Sequence, residues 1–400
     1  MTEGLIETYL STLQGLWPES SAPQLRRSRV ASRGSRHGDV GFYVLPDEHS
    51  PRMLVPADNN GAASRSLRRF SAALSVPDTV QRLGISATLR CGLAFPHRIE
   101  VTDNAASLRS WLADVLGEPV DFSVALGTAR ANRKPVLQVF DSRGRSLAFA
   151  KVGATPLAEK HVAAEIEALT VLGAAGTPAR IEVPKVIRAG RWQGVLVLVM
   201  TSLDTSVWQR PRKQWELPTS VMDALHGHFA GHPQPLVQTP MWKSMQAARD
   251  QLAASQTRDR LDAALTELER LAGDRDTVPG AWHGDWTPWN MARRRGRIQL
   301  WDWERFDTGV PRGLDRCHYG VNAVCRRDGA SMPAVLEGLR LAGLDPVSGS
   351  TEERVLAGTY LAAITCRYLL GADSELGSTV RARSLVMLDS LVRVVCREAR

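Results

Sequence analysis

The sequence predicts an α+β chain in which a small antiparallel sheet with one helix precedes a larger, mostly helical block. Three observations carry this. Short alternating apolar runs between turn residues fill residues 116–203, apolar positions at helical spacing dominate 204–400, and residues 1–115 mix both patterns. With 400 residues, 44% apolar and 23% charged, the chain can hold two or three domains, each with its own core. The expected division is an α/β-mixed accessory domain (1–115), a first lobe (116–203) and a helical second lobe (204–400).

In the accessory region, residues 41–45 and 53–56 read as strands and 62–74 as a helix. The stretch 20–39, rich in Ser, Arg and Gly, reads as a loop or a partly disordered segment, and no motif in this region carries recognisable chemistry. In the first lobe, strands are expected at 122–126, 136–140 and 147–152, the last two joined by the turn Asp141-Ser142-Arg143-Gly144. Val162, Ile166, Leu169 and Leu172 recur every three or four residues and mark a helix over 157–172. Strands at 184–188 and 195–200 follow. In the second lobe, long amphipathic patterns predict helices over 245–271, 331–341, 352–370 and 380–396.

Composition narrows the function classes. The formal charge is +8, and only six of the 50 basic residues are lysine. No arginine run is interleaved with aromatics, so a nucleic-acid groove is not expected. The five cysteines show neither CxxC nor zinc spacing, which fits a reducing cytoplasm. The amphipathic, acidic N-terminus differs from a signal peptide. The densest apolar run, 195–200, is far short of the ~20 residues that span a bilayer, so no membrane insertion is expected.

The chemistry concentrates in one stretch. His283-Gly284-Asp285 is followed at residue 290 by an asparagine, then by an apolar strand at 298–301 and by Asp302-Trp303-Glu304. Phosphoryl transfer requires a carboxylate to orient and deprotonate a hydroxyl, oxygen ligands for a divalent cation, and a cation on the phosphates. Asp285 and Asn290 have the separation of base and metal-binding asparagine in the kinase catalytic loop, and Asp302 follows its strand where a second metal ligand belongs. Upstream, Lys151 ends a strand and Glu165 stands fourteen residues later on the next helix, with Glu167 as its competitor. The loop from Gly127 to Lys134 lies between the first two strands of the lobe, where a phosphate lid would sit, and also carries Arg130 and Arg133.

Together these motifs resemble the aminoglycoside phosphotransferase and choline kinase family, over roughly residues 116–330. The resemblance implies a two-lobed protein-kinase-like fold with the accessory domain added in front. It implies that Asp285 is the catalytic base, that His283 shapes the catalytic loop, and that Asn290 and Asp302 bind Mg2+. It further implies that Lys151 holds the ATP phosphates, positioned by Glu165 beneath a lid carrying Gly127 and Lys134. The segment 200–203, with Thr201 and Leu203, would be the hinge that meets the adenine, and Asp315 would buttress the loop. The implied activity is ATP- and Mg2+-dependent phosphorylation of a hydroxyl on a small molecule, such as a sugar, an aminoglycoside or a related metabolite, with GTP as a possible donor.

The lid has one glycine, and Trp286 and Trp289 are bulkier than their usual counterparts. A nucleotide-binding scaffold with little catalysis is one alternative, although it need not keep Asp285, Asn290, Asp302 and Lys151 together. A protein kinase is another, opposed by Gly284 in place of an arginine before Asp285. Five of the 11 tryptophans fall between residues 282 and 303, as packing or as a stacking wall for a substrate. Cys317-His318-Tyr319 reads as a helix packed on the catalytic strand, and the basic run 293–297 as an exposed hairpin turn.

Overall fold

The computed structural model describes residues 16–17, 24–27, 39–46, 52–68, 76–93, 95–125, 135–205, 216–372 and 377–396. They fall into two compact units, Met1–Gly173 with Val183–Gln209, and Ala174–Glu182 with Arg210–Arg400.

The first unit is built on β1 (Gln24–Arg27), β2 (Asp39–Leu45), β3 (Met53–Pro56), α1 (Asn60–Ser66), α2 (Val76–Arg90), β4 (His97–Thr102) and α3 (Leu108–Leu116). It continues with β5 (Val120–Ala125), β6 (Val136–Asp141), β7 (Ser146–Gly153) and α4 (Pro156–Ala175). After β8 (Ile181–Glu182), which belongs to the second unit, come β9 (Val186–Trp192) and β10 (Val195–Thr201). The strands form one nine-stranded sheet in the order β1-β4-β2-β3-β5-β6-β7-β10-β9. The boundary expected at residue 116 therefore falls inside a continuous sheet, because β3 pairs with β5 through Met53↔Ala125 and Leu54↔Val124. Asn59 strengthens the join: its side chain caps α1 at Ala62 N (2.9 Å) and donates to the Asp121 carboxylate on β5 (2.7 Å).

Alternation along the strands buries both faces. Phe42, Leu54, Phe122, Val139 and Val199 pack under Leu108 and Leu112 of α3. Tyr43, Leu45 and Val55 point the other way, onto Ala63 of α1, Leu67 at its C-terminal cap and Leu89 of α2. The stretch expected as a loop contains β1, and α2, β4 and α3 were not marked by their periodicity.

The second unit holds α5 (Thr219–His228), β11 (Gln234–Pro235), α6 (Pro240–Gln251), α7 (Gln256–Ala272), β12 (Asp276–Thr277), β13 (Pro279–Trp282), β14 (Met291–Arg294), β15 (Arg297–Leu300) and β16 (Asp307–Pro311). It ends in α8 (Leu314–Asp328), α9 (Met332–Leu341), α10 (Thr351–Ala372) and α11 (Gly377–Val395). The single helix expected over 245–271 is two helices. Ser255 caps α7 by accepting from Arg258 N, which restarts the backbone after α6 ends. Trp242, Leu265, Val321, Leu339, Tyr360 and Leu388 join these helices in one core. The helices α8 and α9 cross at their backbones: a Cβ on Gly338 would lie 2.4 Å from Val321 Cα. That crossing fixes α8, which carries Asp315 and His318. The helix α10 is long and apolar enough to cross a bilayer, but 56% of its apolar stretch is buried, as in a core helix.

Candidate active site

A hairpin brings Asn290 and Asp302 side by side. Met291 pairs with Leu300 across β14 and β15, and Trp301 N donates to Asn290 O at 3.1 Å, which extends the ladder to residues 290 and 301. The turn uses Arg295 (φ 46°) and Gly296 (φ 78°), the double positive φ of a tight two-residue hairpin loop. Asp302 itself stands at φ 73°, left-handed backbone that aspartate tolerates better than most residues and that collects at functional sites.

The loop before the hairpin is held by its backbone. Asp315, in the first turn of α8, accepts from His283 N (2.8 Å) and Gly284 N (3.1 Å). Gly284 has φ 75°, and a Cβ there would come within 2.1 Å of Arg305 O, so the arginine of protein kinases could not occupy this position. On the other side, Arg367 donates to Gly284 O at 2.7 Å and stacks over Trp282 at 5.2 Å. His283 is fully buried, with Nδ1 accepting from Asp285 N (3.2 Å) and Nε2 facing Trp301 O (3.1 Å). Those partners require the neutral tautomer protonated at Nε2. Burial pushes the His283 pKa down to about 4, which keeps the ring neutral.

The Asp285 carboxylate is clamped at both oxygens. Asn290 Nδ2 donates to Oδ2 at 2.8 Å and to the Asp285 carbonyl at 2.9 Å, and His318 Nε2 meets Oδ1 at 3.0 Å. His318 is 3% exposed in its side chain, with Tyr360 OH 3.4 Å from its Nδ1. Burial lowers its pKa, so the neutral imidazole donates to Asp285 and accepts from Tyr360. Asp285 keeps 36% of its side chain exposed, the open end of the arrangement. The Asn290 amide oxygen accepts no hydrogen bond among the described residues, so it is available to a ligand. Together with Asp302 it offers the oxygen donors that a hard cation such as Mg2+ takes.

Sequence reading placed Asp285, His283, Asn290, Asp302 and Asp315 in one region, and the second unit brings all five to the loop and its hairpin. It treated His318 as packing, yet His318 touches Asp285. It passed over Arg367 and Tyr360, seven residues apart and so on one face of α10; the spacing is visible in the chain, but the partner of that face is not. Trp282, Trp286 and Trp303 are buried core, whereas Trp289 is half-buried beneath the Arg326 guanidinium at 5.2 Å.

In the first unit, Lys151 on β7 donates to both carboxylate oxygens of Glu165 on α4, at 2.7 and 2.5 Å. Glu165 has no exposed surface and Lys151 has 7%, while Glu167 is exposed, which settles the choice between the two glutamates. Thr201 ends β10 and exchanges hydrogen bonds with the Lys185 backbone (2.8 and 2.9 Å), and Leu203 O accepts from Thr205 N at 2.9 Å. Gly127, Arg130, Arg133 and Lys134 lie outside the described residues.

Residues 138–312 match the model of the phosphotransferase enzyme family. None of the curated proteins matches the chain. A solved structure of a thermostable mutant of aminoglycoside phosphotransferase APH(4)-Ia, with ADP and hygromycin B, is 15% identical with a TM-score of 0.48, over 71% of this chain and 98% of that one. The amicoumacin kinase hAmiN, in complex with AMP-PNP, Ca2+ and Ami, is 14% identical with a TM-score of 0.45, over 72% and 94%. A choline/ethanolamine kinase family protein from Mesorhizobium loti is 17% identical with a TM-score of 0.44, over 71% and 93%.

Two outcomes follow from this geometry. Glu165→Leu strands a buried ammonium and should cost about 3–5 kcal/mol in urea unfolding, most of it recovered in Lys151→Met/Glu165→Leu. Burial raises Asp315 to about 7 from an unfolded value near 3.9, so the folded state holds its proton more tightly. Stability from this group is full below pH ~4 and is lost as pH rises through ~7. Urea midpoints of wild type should therefore fall, relative to Asp315→Asn, between pH 4 and 7; parallel curves would refute the shift.

Proposed function

We propose that this chain, with the phosphotransferase pattern running over residues 138–312, transfers the γ-phosphoryl group of ATP or GTP to a hydroxyl of a small molecule. The observation that carries the reading is the clamped Asp285 carboxylate, which shares Asn290 with a hairpin that sets Asn290 and Asp302 beside each other. Asn290 Oδ1 and the Asp302 carboxylate would hold Mg2+. Bound there with the nucleotide, the ion supplies charge neutralisation for the transferring group.

The remaining work belongs to the chain. Asp285 orients the acceptor hydroxyl and takes its proton on a carboxylate oxygen, since each oxygen keeps a lone pair beyond the bond it already accepts. His318 and Asn290 fix the direction of that carboxylate, so alignment does not have to be achieved anew at each turnover. His283 stays neutral and holds the loop rather than moving a proton. In the other unit, Lys151 would hold the nucleotide phosphates, oriented by Glu165, with the base at Thr201 and Leu203. The acceptor class stays broad: a sugar, an aminoglycoside or another metabolite hydroxyl.

The test is transfer of labelled γ-phosphate from ATP and GTP to a panel of sugars, aminocyclitols and amino alcohols. Asp285→Asn should lower kcat by about 10²–10⁴-fold, the worth of a positioned general base. His318→Ala should lower kcat roughly 10- to 100-fold at unchanged KM, the loss of one hydrogen bond to a charged group, and His318→Gln should restore part of it. Wild-type turnover in Asp285→Asn would refute the assignment of the base.

A further inference from the structure

The turn of α8 that brings His318 to Asp285 continues into a polar stripe. His318, Asn322 and Arg326 recur every four residues and so share one face of that helix. His318 meets the Asp285 carboxylate at 3.0 Å, and Arg326 lies over the ring of Trp289 at 5.2 Å. The stripe therefore runs alongside the loop from residue 285 to residue 289. Asn322, between these two contacts, donates to His318 O at 2.8 Å and accepts from Arg383 Nη2 of α11 at 2.8 Å. Arg383 is half-buried, with its guanidinium 5.4 Å over the ring of Tyr368 on α10.

The charges on this stripe are unbalanced. A guanidinium offers five N–H donors, and the Asn322 oxygen is the single acceptor that those of Arg383 meet among the described residues. Arg367, the residue before Tyr368, spends a donor on Gly284 O at 2.7 Å and likewise has no carboxylate partner among those residues. Asp285 is the one carboxylate hydrogen-bonded to His318, Asn322, Tyr360, Arg367 or Arg383 among the described residues. Holding two guanidinium groups partly out of water without a counter-charge is unfavourable, and a bound anion relieves it. A polycation entering here would meet like charge, and the carboxylate that could attract it is the base itself.

We infer that the acceptor phosphorylated at Asp285 is itself acidic: a small hydroxyl compound whose carboxylate or phosphate group is held by Arg383. The inference rests on the reading of Asp285 as the base and narrows the acceptor class. Asn322 stands four residues beyond His318, about 6 Å at the rise of a helix. A molecule of hexose size spans that interval, with its hydroxyl at Asp285 and its acid group on the guanidinium fork, whose parallel donors suit two oxygens. Asn322 holds one edge of the fork, so the cation is oriented before the ligand arrives.

The test is calorimetric titration of the full chain, loaded with Mg·AMP-PNP so that no transfer occurs. The probes are two matched pairs, gluconate with glucitol and glucose 6-phosphate with glucose, and kanamycin as the polycation. In wild type at least one acid should bind about tenfold or more tighter than its neutral partner, the worth of a charge-assisted hydrogen bond. Which pair responds distinguishes a carboxylate from a phosphate. Arg383→Gln should abolish the preference, and Arg383→Lys should keep part of it. Glutamine retains a donor for Asn322, so a purely bracing role for Arg383 would leave the preference intact. Arg275→Gln removes an equal charge from an exposed position after α7 and should leave it unchanged. Absence of binding by both acids, equal binding within both pairs, a preference that survives Arg383→Gln, or tighter binding of kanamycin than of either acid would overturn the inference. The rise in unfolding midpoint with Mg·ATP, read on the same proteins, reports the nucleotide site separately. Its presence without an acid preference sinks the acceptor class alone, and its absence counts against phosphoryl transfer.

Discussion

Asp315 turns both carboxylate oxygens onto the backbone N–H groups of His283 and Gly284, and the arrangement of the second unit's site follows from that grip. Two consecutive N–H groups can converge on one carboxylate only if the chain bends sharply, and the bend is made at Gly284, where no side chain fits against Arg305 O. The bend carries Asp285 to the edge of the loop with its side chain partly open. His283 then bridges the loop to Trp301 on the far side of the hairpin. One carboxylate at the start of α8 thus sets the loop's path, and His318, one turn further along α8, reaches the Asp285 carboxylate that the path presents.

The charges here need their neighbours. Asp315, Asp285 and Asp302 gather around a largely buried loop, where unpaired carboxylates would be costly. For Asp315 and Asp285 relief comes from hydrogen-bond donors: backbone N–H groups for Asp315, and Asn290 with neutral His318 for Asp285. Arg367 adds positive potential through its bond to Gly284 O without taking a carboxylate out of use. The other unit solves a similar problem differently, pairing Lys151 with Glu165 inside the sheet–helix interface. Such a pair contributes little net stability and a good deal of orientation.

Much of this was legible because it is local. The spacing of Asp285, Asn290 and Asp302 is a loop and a hairpin written in consecutive residues, and the basic turn at 293–297 sits where the hairpin reverses. Lys151 and Glu165 were legible as the end of one element and the buried face of the next. His318, Tyr360 and Arg367 were not, because their roles come from packing α8 and α10 against the loop, and helical periodicity marks a buried face without naming its partner. The accessory region failed for another reason. The strands β1 and β4 are short and polar on alternate positions, and they form only because β2 offers an edge to β4 and β4 offers one to β1. Their register is set by neighbours distant in the chain. The break between α6 and α7 was legible in principle, since Ser255 is an N-cap residue within an otherwise continuous apolar pattern.

The central claim is that the hairpin bearing Asn290 and Asp302 is a magnesium–nucleotide site. It is tested most directly by thermal unfolding with and without Mg·ATP and Mg·GTP, in wild type and in Asp302→Ala. A nucleotide at ~100 times its dissociation constant adds about 2.7 kcal/mol, a rise of a few degrees in a chain of this size. The account predicts that rise in wild type, dependent on magnesium and absent from Asp302→Ala. An equal rise in both proteins, or none in either with both nucleotides, would contradict it.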